Sequence, residues 1–161
     1  MRISSASSRK GRRRVYLIDT NVISEARKKT KANPGVIEFF DRVGKTGERV
    51  YLSVVTVGEM RRGIELIRLR GDAAQASLLE DWLTIVLDQY ADNVLAFDAD
   101  AAQVWGRLRA PHHEHALDKQ IAATALIHDL TVVTRNVADF KALGMDVLNP
   151  FVTPRSPGAA P

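Results

Sequence analysis

Carboxylates follow the apolar segments of this sequence at several widely separated points. Asp19 comes directly after the apolar segment 15–18, and Glu59 follows the segment "RVYLSVV". Asp118 opens the stretch "DKQIAATALIHD", while Asn136 follows "LTVVT" and is itself followed three residues later by Asp139. Carboxylate and amide oxygens are the ligands that Mg²⁺ and Mn²⁺ prefer. Gathered in one cleft, such acids would raise one another's pKa values unless a divalent cation neutralised them.

The segments between these residues predict an alternation of strands and helices. Met60, Ile64 and Ile67 repeat at the spacing of a helix face, whereas the segment 15–18 is typical of a buried strand. Strands are predicted at 15–18, 49–55, 93–97, 130–134 and 145–149, and helices at 21–28, 34–43, 56–70, 78–86, 99–109 and 117–128. Strands separated by helices favour an α/β fold with a central parallel sheet of four to five strands flanked by helices.

The predicted sheet explains how distant residues would meet. In open α/β sheets, binding sites form beyond the carboxyl ends of the strands. We therefore expect one edge of the sheet to gather Asp19, Glu59, Asp118 and Asn136. Helix capping is the competing explanation for several of these positions: Asp19 or Asn21 for one helix, the Thr56 and Glu59 pair as a capping box, and Asp118 for the last long helix.

Charge and composition indicate how the chain is organised. Its 161 residues carry a net charge of +4, but six bases and no acid lie within residues 1–14. The remaining 17 bases face 19 acids, so the basic pI does not indicate that the folded body binds nucleic acid. We expect a basic disordered tail over 1–14, a domain over 15–150 and a Pro-rich disordered tail over 151–161.

Cysteine usage and hydropathy exclude some kinds of protein. The chain has no cysteine, which excludes disulfides and thiolate zinc sites and fits a cytoplasmic protein. No apolar run approaches the ~20 residues that a membrane-spanning helix needs. We therefore expect no membrane association.

Four segments together resemble a known family. They are "YLIDTNVISE", "LSVVTVGEMRRGI", "LDKQIAATALIHDLTVVTRNVADF" and the closing "NP". They resemble PIN-domain proteins, and more closely the VapC toxins of bacterial toxin–antitoxin pairs, over residues 15–150. The resemblance implies a three-layer Rossmann-like domain that acts as a Mg²⁺- or Mn²⁺-dependent endoribonuclease. Metal ions suit this reaction because they polarise phosphoryl oxygens and activate water for in-line attack.

The resemblance also assigns roles to residues of this chain. It implies that Asp19, Glu59 and Asp118 are metal ligands. It also implies that Thr134 and the residue at position 136, here Asn136, line the remaining side of the site. Many relatives carry aspartate where this chain has Asn136. Asp139, one helical turn further on, is a candidate to restore that charge, and Asn21 is a candidate supporting residue.

Partners follow from the resemblance in the same way. It implies an RNA substrate, a homodimer and a VapB-type antitoxin, with operator DNA bound only through the antitoxin. Arg61, Arg62 and Arg135 are candidate contacts for RNA phosphates or for the acids of a partner. The helix from Leu78 to Val86 is predicted to be core, with part of its apolar surface available as an interface.

Three alternatives compete with this interpretation. A phosphatase of the haloacid-dehalogenase type also ends its first strand with aspartate, but it needs a second acid where this chain has Asn21. A non-catalytic RNA-binding or adaptor module would explain Asn136 as part of a decayed site. His112, His113 and His115 match no established zinc spacing, so we predict a solvated loop there.

Overall fold

A computed structural model describes residues 13–152. Most of the predicted basic tail and the chain beyond residue 152 lie outside the described residues. The strands are β1 Val15–Ile18, β2 Arg49–Ser53, β3 Val94–Leu95, β4 Thr131–Val133 and β5 Val147–Leu148. The helices are α1 Thr20–Ala26, α2 Pro34–Thr46, α3 Val54–Leu69, α4 Ala73–Gln89, α5 Ala99–Arg109, α6 Ala116–His128 and α7 Val137–Lys141. Within the described range, no helix combines the length and apolar character needed to cross a bilayer.

The five strands form one parallel sheet in the order β3-β2-β1-β4-β5. β1 is central, and its last residue, Ile18, is in register with Leu52 of β2 and Val133 of β4. The carboxyl ends of these three strands therefore lie side by side. The prediction of an α/β fold with a central parallel sheet is confirmed.

The side chains of β1 point alternately to the two faces of the sheet, and the apolar core is divided between these faces. Tyr16 and Ile18 pack into one apolar cluster with residues of α1 to α4. Leu17, between them, packs into a second cluster with Ile121 of α6 and Phe140 of α7. Successive side chains of a strand point to opposite faces, so helices cover the sheet on both sides. This arrangement is a three-layer α/β/α domain.

Helix α3 begins earlier than the apolar spacing predicts. The side chain of Ser53 caps it by accepting a hydrogen bond from the backbone N–H of Val55 at 3.1 Å. The predicted capping box of Thr56 and Glu59 is therefore wrong, and Glu59 lies in the second turn rather than the first. The predicted strand over 49–55 ends at Ser53 for the same reason.

Two predicted apolar helix faces are wrong in part. On α4, Leu78 and Ile85 are 65% and 55% exposed, while Leu83 is buried. On α6, Leu117 is 44% exposed, whereas Ile121 of the same predicted face is buried. Helix α4 is apolar on two sides, and its packing against α3 decides which side is buried. The other side leaves large apolar side chains on the surface.

The end of the domain packs against the start of α2. A Cβ atom built on Gly35 would lie 2.0 Å from the carbonyl oxygen of Pro150, so this position has no room for a side chain. Asn33 caps the helix by accepting from the Gly35 N–H at 2.9 Å. Beyond Pro150, Phe151 is partly buried against the first apolar cluster.

Candidate active site

Asp19 lies at the centre of the carboxyl edge of the sheet and is held rigidly. It is 4% exposed and is the N-cap of α1. Its Oδ1 accepts from the Thr20 N–H at 2.8 Å, and its Oδ2 accepts from the Thr134 hydroxyl at 2.7 Å. Burial raises the pKa of Asp19, and the hydrogen bonds from Thr134 and Thr20 partly oppose that rise. The chain therefore keeps a carboxylate in a place that disfavours its charge.

Thr134 and Asn21 connect the ends of β1 and β4 around this carboxylate. The Asn21 amide donates to Asp19 Oδ2 at 3.3 Å, and its Oδ1 accepts from the Arg135 N–H at 3.1 Å. The Thr134 hydroxyl also accepts from the Asn136 N–H at 3.0 Å. Both predicted supporting residues thus contact Asp19 directly. Their contacts orient its carboxylate before any ligand binds.

Asp118 lies within electrostatic reach of the other predicted acids. It is the third residue of α6, whose N-cap is His115, so the prediction of Asp118 as the N-cap is wrong. The pKa of Asp118 is raised first by burial, then by the negative charges of Asp19 and Asp139, and to a smaller extent by Glu59. The charges of Asp19, Glu59 and Asp139, from three other parts of the chain, therefore all act on Asp118.

Asn136 and Asp139 occupy different places at the edge of this region. Asn136 is exposed and precedes α7 without a side-chain capping bond. A carboxylate oxygen of Asp139 lies within 4.8 Å of one from Asp118. Asp139 thus brings a negative charge close to Asp118, one helical turn beyond the position where relatives were expected to carry aspartate.

His115 was missed as a site residue by the sequence reasoning. His112 and His113 are exposed and face Glu114, as expected of a solvated loop. His115 instead has a ring nitrogen within 4.8 Å of carboxylate oxygens of Asp118 and Asp139. The sequence could have pointed to His115 through its position three residues before Asp118. This spacing brings side chains together at the start of a helix.

The three predicted arginine contacts are not equivalent. Arg61 pairs with Glu80 of α4 at 2.5 Å and with Glu65 at 3.6 Å, so its guanidinium connects α3 to α4. Arg62 is exposed and forms no ion pair with a described residue. Arg135 is exposed and stacks over the ring of Phe151, with its guanidinium carbon 4.0 Å from the ring centroid. Arg62 and Arg135 are therefore the better placed to meet an external anion.

The donor set fits a divalent cation. Asp19, Glu59, Asp118 and Asp139 offer oxygen ligands, and a bound dication would relieve the repulsion that the other three exert on Asp118. One turn before Glu59 on α3, the hydroxyl of Thr56 is buried and finds no hydrogen-bond partner within residues 13–152. Such a group is expected to bind an ordered water or a ligand oxygen.

Asp118→Asn should raise the melting temperature of the metal-free protein by a few degrees at pH 7. The folded-state pKa of Asp118 is raised above its unfolded value, so the native chain binds the proton more tightly. The contribution of Asp118 to stability is then fully present below about pH 4 and is lost as pH rises through the raised pKa. The amide carries no such charge. Thermal melts from pH 4 to 8 in the presence of a chelator should show that the difference in melting temperature between Asp118→Asn and the unsubstituted protein grows as the pH rises.

An exposed acid far from the site provides the control for this prediction. Asp41 lies on the exposed side of α2, and Asp41→Asn should not reproduce the rise. A melting temperature of Asp118→Asn below that of the unsubstituted protein at pH 7 would contradict the electrostatic account.

Comparison with known proteins identifies the family. The chain matches the PIN domain over residues 16–144. It is 37% identical over 142 residues to the toxin FitB of Neisseria gonorrhoeae, covering 85% of this chain and 99% of FitB. It is 34% identical over 145 residues to the VapC ribonuclease Y4jK of Sinorhizobium fredii, covering 85% and 98% of the two chains.

A solved structure agrees with this assignment. The structure of FitAB bound to a DNA fragment superimposes with a TM-score of 0.73 at 33% identity, covering 88% of this chain and 99% of the other. The resemblance found in the sequence is confirmed, and it displaces the phosphatase alternative. This chain belongs to the PIN-domain family, in the group that contains the toxin FitB and the VapC ribonucleases.

Proposed function

We propose that this protein is a metal-dependent endoribonuclease and the toxin of a VapBC-type toxin–antitoxin pair. The observation that carries the proposal is that Asp118, which lies close to Asp139, also responds to the charges of Asp19 and Glu59. A relative named VapC ribonuclease covers nearly the same length of chain. Mg²⁺ or Mn²⁺ is the proposed cofactor, because the donor set is rich in carboxylate oxygen.

The residues divide the work of the reaction between them. Asp19, Glu59 and Asp118 would hold the cation, and Asp139 would add the charge that Asn136 lacks. A bound dication would stabilise the charge that develops on the phosphoryl oxygens and lower the pKa of the attacking water. Thr134 and Asn21 orient Asp19 through the hydrogen bonds described above. Arg62 and Arg135, both exposed, would contact RNA phosphates.

The rival proposal is a non-catalytic RNA-binding or adaptor module. It rests on Asn136 as the mark of a decayed site. Against it, Asp139 lies close to Asp118, so the region keeps four carboxylates. An adaptor would bind metal weakly and would cut no RNA.

Exposed apolar side chains support the proposed partners. Leu78 and Ile85 on α4 and Leu69 at the end of α3 are exposed in the single chain. We propose that surfaces of this kind are covered in a homodimer and by a VapB-type antitoxin, with operator DNA bound through the antitoxin. An antitoxin arginine placed against Asp19 or Asp118 would block the site, since such charge-assisted pairs are strong. A cytoplasmic location is part of this proposal.

The proposal predicts cleavage of RNA that depends on a divalent cation. Purified protein should cut a total RNA preparation with Mg²⁺ or Mn²⁺, and excess chelator should stop the reaction. Production in bacteria should slow growth, and co-production of the protein encoded by the neighbouring gene should restore it. The measurements are gel analysis of RNA fragments and growth curves. Absence of cleavage together with absence of toxicity would overturn the assignment.

A further inference from the structure

His115 differs from an ordinary exposed histidine in what it faces. One of its ring nitrogens and one carboxylate oxygen from each of Asp118 and Asp139 all lie within 4.8 Å of one another. Two donors on the same ion, each about 2.1 Å away, are at most about 4.2 Å apart. Small side-chain rotations would therefore close these three donors around one cation. Within the described residues, this is the one group of three ionisable metal-binding side chains with such spacing.

The backbone holds His115 in place. Its φ of 53° is in the left-handed region, which is unusual for a residue with a side chain. The ammonium of Lys119, a buried side chain, donates to the carbonyl oxygens of His112 and, at 2.7 Å, Glu114. The Lys119 N–H donates to the His115 carbonyl at 3.1 Å. The loop is thus fixed to the first turn of α6, and the imidazole is directed from a constrained backbone.

The surroundings separate this group from the inner acids. Asp19 is buried and both of its oxygens accept hydrogen bonds, whereas His115 and Asp139 are exposed at the rim. Asp118 is half-buried and lies close to His115 and Asp139. A carboxylate has two oxygens, so Asp118 can contribute to both groups.

The imidazole changes which ion the rim would prefer. Carboxylate oxygens suit Mg²⁺ and Mn²⁺, but nitrogen ligands favour first-row transition ions over Mg²⁺. We propose that His115, Asp118 and Asp139 form an outer cation subsite that binds a transition-metal dication, such as Mn²⁺ or Zn²⁺, in preference to Mg²⁺. The inference rests on the proposed nuclease site in that Asp118 and Asp139 are shared with it.

The test replaces His115 and compares two ions. Asn tolerates a left-handed backbone, so His115→Asn removes the imidazole with little strain, and thermal melts check that it is folded. His113→Asn is the matched control, since His113 is exposed and lies outside the group. Mn²⁺ binding to the full-length protein is followed at pH 7.5 by the electron paramagnetic resonance signal of free Mn²⁺. Mg²⁺ binding is followed by calorimetry.

Selectivity rather than activity is the readout. We expect His115→Asn to weaken one class of Mn²⁺ site by about 10-fold or more, while Mg²⁺ affinity changes little and His113→Asn behaves as the unsubstituted protein. Equal Mn²⁺ binding by the two variants, or equal loss of Mn²⁺ and Mg²⁺ affinity in His115→Asn, would overturn the subsite.

A measurement on the unsubstituted chain covers the case in which His115→Asn does not fold. With Zn²⁺ as a diamagnetic probe, the ¹⁵N resonance of a His115 ring nitrogen should shift and that of His113 should not. Unshifted His115 nitrogens at saturating Zn²⁺ would refute the proposal. None of these readouts requires RNA cleavage, so failure of the subsite and failure of the proposed nuclease are distinguishable.

Discussion

Asp19→Asn should lower the rate of RNA cleavage at least ~100-fold while the protein remains folded. Even the loss of an outer-shell partner of a metal ligand costs ~10–100-fold in affinity or activity, and Asp19 is a proposed direct ligand. The amide keeps an acceptor for the Thr20 N–H, and burial already disfavours the charge of the native carboxylate. Stability should therefore not fall in proportion to activity. Cleavage rates with saturating Mg²⁺ and Mn²⁺, together with thermal melts, measure the two effects.

A matched surface substitution gives the reference for this result. Asp41→Asn removes one exposed carboxylate from α2 and should leave the cleavage rate within about 2-fold, because solvent screens its charge. An Asp19→Asn variant that cuts RNA at the unsubstituted rate would exclude the metal-nuclease proposal. An unfolded variant would show instead that Asp19 is needed chiefly as the cap of α1.

Asp139→Asn should weaken divalent-cation binding by about 10-fold, and Asn136→Asp should recover part of that loss. Asp139 supplies a charge close to Asp118, whereas Asn136 brings an amide without charge. Restoring aspartate at 136 returns the total charge of the region to that of the unsubstituted protein. Calorimetric Mg²⁺ affinities of the two single variants and the double variant decide how far the positions substitute for each other.

These three variants and the unsubstituted protein form a double-mutant cycle. The cycle distinguishes a role shared by positions 136 and 139 from two independent roles. If Asp139 compensates for Asn136, the double variant should bind the cation more tightly than Asp139→Asn alone, and the single effects should not add. Near-zero and additive effects would mean that Asp19, Glu59 and Asp118 suffice and that neither position belongs to the site.

Much of the fold follows from local patterns along the chain. All five predicted strands are present, the first with the predicted bounds and the other four with shorter ones, and Asp98 caps α5 by accepting from the Ala101 N–H at 2.9 Å. The boundary of α3 was missed because a serine at the end of a strand caps a helix as well as Thr56 would. The side of α4 that is buried was missed because hydrophobic periodicity does not distinguish two apolar sides of one helix.

The sequence alone determined that Asp19 would directly follow a buried strand. The position of a residue after a strand depends on local hydrophobicity, which can be read along the chain. It also determined the family, because "YLIDTNVISE" and the segments that follow have specific combinations of residues.

Only the tertiary structure decided which side chains meet beyond that strand. His115 reaches Asp118 and Asp139 because a left-handed backbone and the buried Lys119 direct the loop before α6, and neither feature has a sequence period. Asp139 rather than Asn136 approaches Asp118 because of how α7 packs beside α6. Contacts between side chains of different elements depend on the packing of those elements, and packing is a property of the folded chain as a whole.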